Sequence, residues 1–431
     1  RLRRLDQGQE LVGVAELDYG VRPLLAALLR ELPTAEIAAE RRGIGVQETD
    51  GAIAQVLKTI YSQQGGKLSL VRIWQGTLTD GSIVNGVRVG GIYRLLGSQQ
   101  QPLQSASAGE IVALGRLEGL KTGATIGTNP IATDLPQAQT LAPVYALAIV
   151  PTHRNDEVKL SSALTKLVEE DPSLHWEQHG DTHEVILWGQ GEIHLQVAID
   201  RLRRKYNLPM QTHLPQIPYK ETIRKPIAAI HGRYKHQSGG HGQFGDVYLD
   251  IQPRQRGTGF DFQETIVGGV VPKQYIPGVE TGVREFLDRG PLGFPVVDVA
   301  VTLTNGSYHS VDSSEQAFKT AARLAMTEGM LKCEPTLLEP IFAIEVSAPN
   351  EFTSKVLQLL SGRRAQILGY DAKSGWRGWD LVSAYLPQAE MHSFIVELRS
   401  LTMGVGCFTW HYDRLQEVPE KLAERVLAQS K

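Results

Sequence analysis

Gly189-Gln190-Gly191-Glu192-Ile193-His194-Leu195 follows a short strand-like run at 183–188 and opens a stripe of Leu195, Ala198, Ile199, Leu202 and Tyr206. A short apolar run closed by glycines and followed by a period of 3.6 marks a strand feeding a helix, here expected over 192–206. Working outward, a strand at 145–150 leads through Pro151 to a helix at 161–170 and a strand at 174–179. With the 183–188 strand and its helix, the order is that of a βαββαβ unit. Residues 341–431 run through the same order with little identity. A strand at 341–346 passes Pro349 into a helix at 351–360. Strands near 365–370 and 379–386 follow, then Pro387, a helix at 389–398 and a strand at 407–412. The pattern repeats and the sequence does not.

Residues 51–140 carry short strand-like runs, such as 68–74, separated by turn signals. Asp80-Gly81 between 76–79 and 82–84 predicts a hairpin, and the many short strands predict a small β-barrel. Ahead of them, residues 19–33 predict a helix with Pro23 in its first turn and an apolar face of Leu24, Leu25, Leu28, Leu29 and Leu32. The polar stretch 34–50 reads as a linker. Between the two βαββαβ units, 223–340 is mixed, with extended runs at 246–251 and 296–303 and helices at 276–287 and about 313–330. Asp312 and Glu315 suggest a capping box for the latter, and Ala317, Phe318, Ala321 and Ala325 its buried face. The expectation is an α+β multidomain chain divided at 1–50, 51–140, 141–222, 223–340 and 341–431.

Hydrophobic residues are 42% and charged residues 21% of the 431, ordinary globular usage that excludes disordered, collagen-like and coiled-coil classes. The formal net charge of −3 leaves any nucleic-acid contact to local patches. Two cysteines, Cys333 and Cys407, make no disulfide framework. No apolar run approaches the roughly 20 residues of a membrane span, so no membrane partner is expected. The chain opens on Arg1 in a charged stretch, as expected for a portion of a longer protein. A phosphate loop would read GxxxxGK[ST]. The nearest match, from Gly115 to Thr122, has Leu120 between Gly119 and Lys121 and strand-like flanks, so a barrel turn is expected there. Gly65-Gly66-Lys67-Leu68 lacks the hydroxyl residue. No nucleotide chemistry is expected of this chain.

Residues 231–245 hold His231, Arg233, Lys235, His236 and His241 among five glycines, with no acid before Asp246. Glycines let backbone approach phosphate closely and cations favour it. The same composition also describes a solvated loop. Residues 305–314 end where a helix begins, and helix N-termini favour anions. His309 there could reach a base or ribose edge, or be an ordinary exposed residue of an Asn305-Gly306 turn. The spacing of His231, His236 and His241 fits no compact zinc pattern, so no metal is expected. Glu192 and His194 do not share a helix face and read as a helix-start carboxylate and a surface histidine. Asp200–Arg204 is a plausible pair. Trp376 and Trp379 could stack on bases or pack at a hairpin tip, and the thiols read as inert.

Several stretches resemble elongation factor G of bacteria. Residues 167–174 (LVEEDPSL), 189–195 (GQGEIHL) and 200–203 (DRLR) resemble its third domain, and 234–245 (YKHQSGGHGQFG) and 305–314 (NGSYHSVDSS) the two tip loops of its fourth. Residues 363–369 (RRAQILG), 387–390 (PQAE) and 398–402 (LRSLT) look like its fifth domain. Residues 51–140, with Gly119-Leu120-Lys121, look like its second-domain barrel, and 19–33 like the end of its GTP-binding domain. The resemblance implies two ferredoxin-like βαββαβ domains, a small β-barrel, and a 223–340 domain resembling the ribosomal protein S5 domain 2-like fold. It implies a parent that is a ribosome-dependent GTPase moving transfer RNA and messenger RNA. The phosphate loop and guanine-reading motif are not in this sequence, so this chain would hold no cofactor, and GTP or GDP with Mg would bind in the missing domain. It also implies a cytoplasmic monomer whose partners are the ribosome (ribosomal RNA and proteins) and tRNA–mRNA at the decoding centre. Contact residues carried over are Ser238, Gly239, Gly240, His241, Gly306 and His309, supported by Arg233, Lys235 and His236; no residue is catalytic. His241 stands where the family commonly has Arg, and a neutral imidazole attracts phosphate more weakly. Two alternatives stand beside this: a paralogue in ribosome recycling or antibiotic protection, and a stand-alone ribosome- or RNA-binding module.

Overall fold

The computed structural model describes residues 17–41, 51–62, 66–97, 99–129, 134–237 and 242–429. The chain divides into two units, one of residues 1–141, 151–176 and 196–210, the other of 142–150, 177–195 and 211–431. Among the described residues no helix is long and apolar enough to cross a membrane.

The first unit begins with α1 (Val21–Glu31), whose leucines are exposed, and α2 (Ala35–Arg41). The linker expected at 34–50 thus contains a helix. Thr34 starts it, its carbonyl accepting from Ala38 N–H, and Ala39 packs with Ile53, Trp74 and Leu135. Among the described residues ten strands follow: β1 (Ile53–Tyr61), β2 (Lys67–Gln75), β3 (Thr77–Thr79), β4 (Ile83–Val84), β5 (Val87–Arg88), β6 (Ile92–Leu96), β7 (Gln99–Leu103), β8 (Ser105–Ser107), β9 (Ile111–Gly115) and β10 (Thr125–Gly127). Six form a sheet in the order β10-β1-β2-β9-β6-β7 around Val71, Ile73, Leu114, Leu117 and Ile126. The hairpin expected across Asp80-Gly81 is a turn only. Ser82 N–H returns to Thr79 O, but β3 pairs with β8 and β4 with β5.

α3 (Glu157–Glu170) starts four residues before the 161–170 expectation and buries Leu160, Ala163, Leu164 and Leu167. Its C-terminal end is tied to the strands. Lys67, with only 2% of its side chain exposed, places Nζ 2.8 Å from Glu169 Oε2 and 2.9 Å from Leu120 O. Tyr61 donates from its hydroxyl to Glu169 (2.7 Å) and from its N–H to Glu170 (2.6 Å). Burial pushes the Glu169 carboxyl up, but the bonds from Lys67 and Tyr61 outweigh it and hold its pKa below the usual value. A depressed folded pKa stabilises at pH above the unfolded value and loses that contribution as pH falls through the folded one. Glu169→Ala, which leaves a buried ammonium with one carbonyl, is expected to cost about 3 kcal/mol in urea unfolding at pH 7. The difference from the parent chain should shrink towards acid pH; an unchanged midpoint would contradict the pairing.

The first βαββαβ order is β11 (Tyr145–Pro151), α3, β12 (His175–Gln178), β13 (Val185–Gly189), α4 (Glu192–Tyr206) and β14 (Met210–His213). Its strands lie in the order β12-β13-β11-β14. The last strand, short and polar, gave no alternation to read. The second unit continues with β15 (Lys220–Ile223), β16 (Ile227–His236), β17 (Gln243–Pro253), β18 (Asp261–Glu264), α5 (Ile276–Leu287), β19 (Val299–Ser307) and α6 (Glu315–Lys332). It ends with β20 (Pro335–Pro349), α7 (Thr353–Gly362), β21 (Gln366–Ala372), β22 (Trp379–Pro387), α8 (Phe394–Leu401), β23 (Cys407–Glu417) and α9 (Glu420–Gln429). The β20–β23 set lies in the order β21-β22-β20-β23. By chain position, both sheets read second, third, first, fourth strand, the ferredoxin-like arrangement.

Candidate nucleic-acid interface

The cationic stretch 231–245, read as a loop, is mostly a β-hairpin. β16 and β17 pair antiparallel from Ile227↔Ile251 to His236↔Gln243, which shortens the connection to 237–242. Four candidates, Ser238, Gly239, Gly240 and His241, fall in that connection and lie outside the described residues. β17 also pairs with β19, with Asp246↔Ser307, Val247↔Gly306 and Tyr248↔Asn305. The pairing is antiparallel, so residues beyond Ser307 leave at the sheet end where 237–242 turns.

Alternation sorts β16 by face. Ile230 and Gly232 are buried and Tyr234 partly so, packed with α5 and α6 residues. His231, Arg233 and Lys235 are exposed on the other face. The glycines at 232 and 245 answer to the helix. A Cβ at Gly232 would lie 2.2 Å from Ala321 O, and one at Gly245 2.4 Å from Ala317 O. Gly306, carried over as a contact residue, is likewise constrained from within: its Cβ would lie 2.3 Å from Asp246 O.

The exposed face is not purely cationic. Asp246 sits opposite Arg233, and its carboxylate lies 2.8 Å from His231 Nε2 and accepts from Ser307 Oγ at 2.9 Å. His231 also stacks on Tyr248, centroids 4.5 Å apart. His231 is therefore held in place, while the Arg233 guanidinium lies 5.5 Å from the Phe244 ring centre. His236 stacks on Tyr234 at 6.5 Å.

His309, 54% exposed at its side chain, stands 6.4 Å from the Phe244 ring. Its Nδ1 accepts from the N–H groups of Val311 (3.3 Å) and Asp312 (3.2 Å). Nδ1 is thus the acceptor of the neutral ring and Nε2 carries the hydrogen. A donor on an exposed ring suits the acceptor oxygens and nitrogens of RNA. The helix cap expected at Asp312 is Ser314, whose Oγ accepts from Ala317 N–H at 3.2 Å.

Four family models match in chain order: "Elongation factor G domain 2" over 51–129, "Elongation Factor G, domain III" over 141–214, "Elongation factor G, domain IV" over 215–334 and "Elongation factor G C-terminus" over 336–426. A Synechocystis sp. protein named "Elongation factor G-like protein" is 65% identical over 96% of this chain, which spans 62% of that protein's length. The chain belongs to the elongation factor G family. A crystal structure of a Thermus thermophilus protein superposes with a TM-score of 0.77 at 37% identity, again over 96% of this chain and 62% of its own.

All the described contact candidates of this elongation-factor-G-family chain fall within the domain IV match. Other features resolve locally. His194 Nδ1 accepts from Gln190 N–H at 3.1 Å, an arrangement at the start of α4. Arg204 pairs with Asp200 at 2.8 Å as expected. Trp376 meets Trp379 edge to face at 4.9 Å with Lys373 Nζ 3.8 Å above its ring, so the two indoles pack together. Burial pushes the Cys333 thiol up to about 11, an inert thiol at neutral pH. Sequence reading missed Asp246 and Phe244 as parts of this face. Their signal was the alternation of 243–248, which Gly245 interrupts.

Proposed function

We propose that this chain is the ribosome-binding portion of a translation GTPase that promotes tRNA–mRNA translocation. In this reading the 237–242 and 305–314 segments enter the decoding centre and occupy the space vacated by transfer RNA. Ser238, Gly239, Gly240, His241 and His309 then contact RNA, Arg233, Lys235 and His236 supply attraction to phosphate, and Gly306 shapes the strand behind them. The chain spans 62% of the length of its relatives. We assign GTP and Mg chemistry to the remaining part of a longer, monomeric, cytoplasmic parent, and a mechanical role to these residues. The observation that carries the reading is that β19 ends, towards 305–314, at the sheet end where β16 gives way to β17, with His309 exposed 6.4 Å from the Phe244 ring and Arg233 over the same ring at 5.5 Å. Phosphate-directed cations position such a surface and a fixed polar donor reads edges.

The test uses the longer protein on ribosomes holding tRNA in both sites. GTP-dependent movement of messenger, followed by a fluorophore on its 3′ end, is the expected result. Hydrolysis of GTP without movement, together with splitting of post-termination ribosomes, would overturn translocation in favour of recycling.

A further inference from the structure

Glu221, in β15, is wholly buried, and among the described residues no cation pairs with it. Its Oε2 accepts from Leu292 N–H and its Oε1 from Phe294 N–H, each at 3.0 Å. The turn that carries these donors closes over the carboxylate. A Cβ at Gly290 would lie 2.5 Å from Oε1, and Gly293 holds a φ of +96°, which glycine adopts freely. Burial pushes the Glu221 pKa up, against the lowering pull of the Leu292, Phe294 and Gly293 N–H groups. This cradle offers donors only. A carboxylate satisfies them, whereas an apolar side chain would leave two buried N–H groups without acceptors.

The same turn reaches one more residue. The Phe294 ring meets Tyr219 edge to face, centroids 5.8 Å apart. Tyr219 ends the connection from β14 to β15, which has prolines at 215 and 218. Burial, and after it the Glu339 carboxylate of β20, push the Tyr219 hydroxyl's pKa up. Backbone bonds hold the neighbouring residues whatever side chain stands at 221. Glu221 N–H donates to Pro295 O and Val297 N–H to Glu221 O, each at 2.9 Å, and β15 keeps its ladder with β20. Within 290–294 the backbone bonds are internal: Gly290 N–H to Phe294 O and Gly293 N–H to Gly290 O. The carboxylate is what ties Leu292 and Phe294 N–H to β15.

We propose that Glu221 is a positioning residue for messenger movement: its carboxylate sets the 290–294 turn so that the Phe294 ring braces Tyr219 where residues 223–340 join the preceding connection. The inference rests on the reading of 223–340 as the part that enters the decoding centre. An arm that transmits a displacement has to be stiff at its base. A ring that yields there absorbs part of the motion, and a misplacement of about an ångström is enough to slow a positioned step.

Glu221→Ala, Glu221→Gln and Phe294→Leu are compared in the longer protein, with His309→Ala as reference. Each of the first three should slow messenger movement about threefold to tenfold, with ribosome-stimulated GTP hydrolysis within about twofold of the parent. Glu221→Gln relieves the burial of a charge but turns an amide NH2 towards one of two donors, so it should follow Glu221→Ala. A side chain that merely filled volume would be replaced by glutamine without effect. Glu221→Ala combined with Phe294→Leu should slow movement little beyond Phe294→Leu alone, the non-additivity of residues acting as one unit. In the 431-residue chain, without ribosomes, hydrogen exchange of the Leu292 and Phe294 amides should rise about tenfold in Glu221→Ala. Phe294→Leu keeps the cradle, so Leu292 should exchange there as in the parent, and this variant tests the brace even where Glu221→Ala fails to fold. Parent-like exchange in both Glu221 variants would overturn the cradle. Parent-like movement in Phe294→Leu beside a slowed His309→Ala would overturn the positioning role and leave the RNA-contact reading intact. Parent-like movement in His309→Ala would overturn that reading itself.

Discussion

Replacing His309 with alanine is expected to slow movement of tRNA and messenger by about tenfold to a hundredfold, the loss of one desolvated polar contact at the moving step. Ribosome-stimulated GTP hydrolysis should remain within about twofold, because an interaction made only during movement does not alter an earlier step. The physical ground is the ring's fixed orientation. Two backbone N–H groups hold Nδ1, and Ser313 Oγ accepts from the backbone N–H of the same residue. Such a donor is pre-organised, and its removal sacrifices a contact whose ordering cost was already met in the fold. Rapid-mixing measurements of messenger displacement and phosphate release, made on the same ribosomes, separate the two steps. Equal slowing of both would place His309 in binding and not in movement.

Gly232→Ala is the second large effect expected, and it falls on stability. The added methyl would meet Ala321 O at 2.2 Å and both the N and Cβ of Ala325 at 2.7 Å. Neither neighbour can yield as a flexible side chain would, because one is helix backbone and the other sits in the buried stripe of α6. The helix would have to move away from β16, loosening Phe318, Ala322 and Met326, all fully buried. Overpacking of this kind costs about 3 kcal/mol. Urea unfolding should show a lower midpoint with an unchanged slope. A loss below about 0.5 kcal/mol, the range of ordinary surface substitutions, would mean that helix and sheet are not in such close contact.

Helices whose stripes face a core were legible in the sequence. The 192–206 and 276–287 expectations coincide with α4 and α5, and Ala317, Phe318, Ala321 and Ala325 are the buried face of α6. Strands built around close approaches were not. β16 hides its alternation because the inward position between Ile230 and Tyr234 is a glycine, chosen by α6 pressing on it and not by a turn. Asp80-Gly81 carries a sound turn signal, but the flanking strands find partners far along the chain, which local chemistry cannot reveal. The ferredoxin-like order of elements was visible, whereas the sheet order arises from long-range register. At the candidate site His309 was legible as an exposed polar residue near a helix start. Asp312 was read as a cap for that helix. Ser314 fills the cap two residues later, which leaves the aspartate available to Gly242.

In the proposed function the end of the β16–β17–β19 sheet contacts RNA of the small subunit during messenger movement. A photo-activated cross-linker placed at position 309 of the longer protein, stalled on ribosomes with a non-hydrolysable GTP analogue, tests it directly. Cross-links are expected to decoding-region ribosomal RNA, transfer RNA or messenger, reduced when the aminoacyl site is filled beforehand. Cross-links confined to ribosomal proteins or to the large subunit, from a factor shown to be bound, would contradict it.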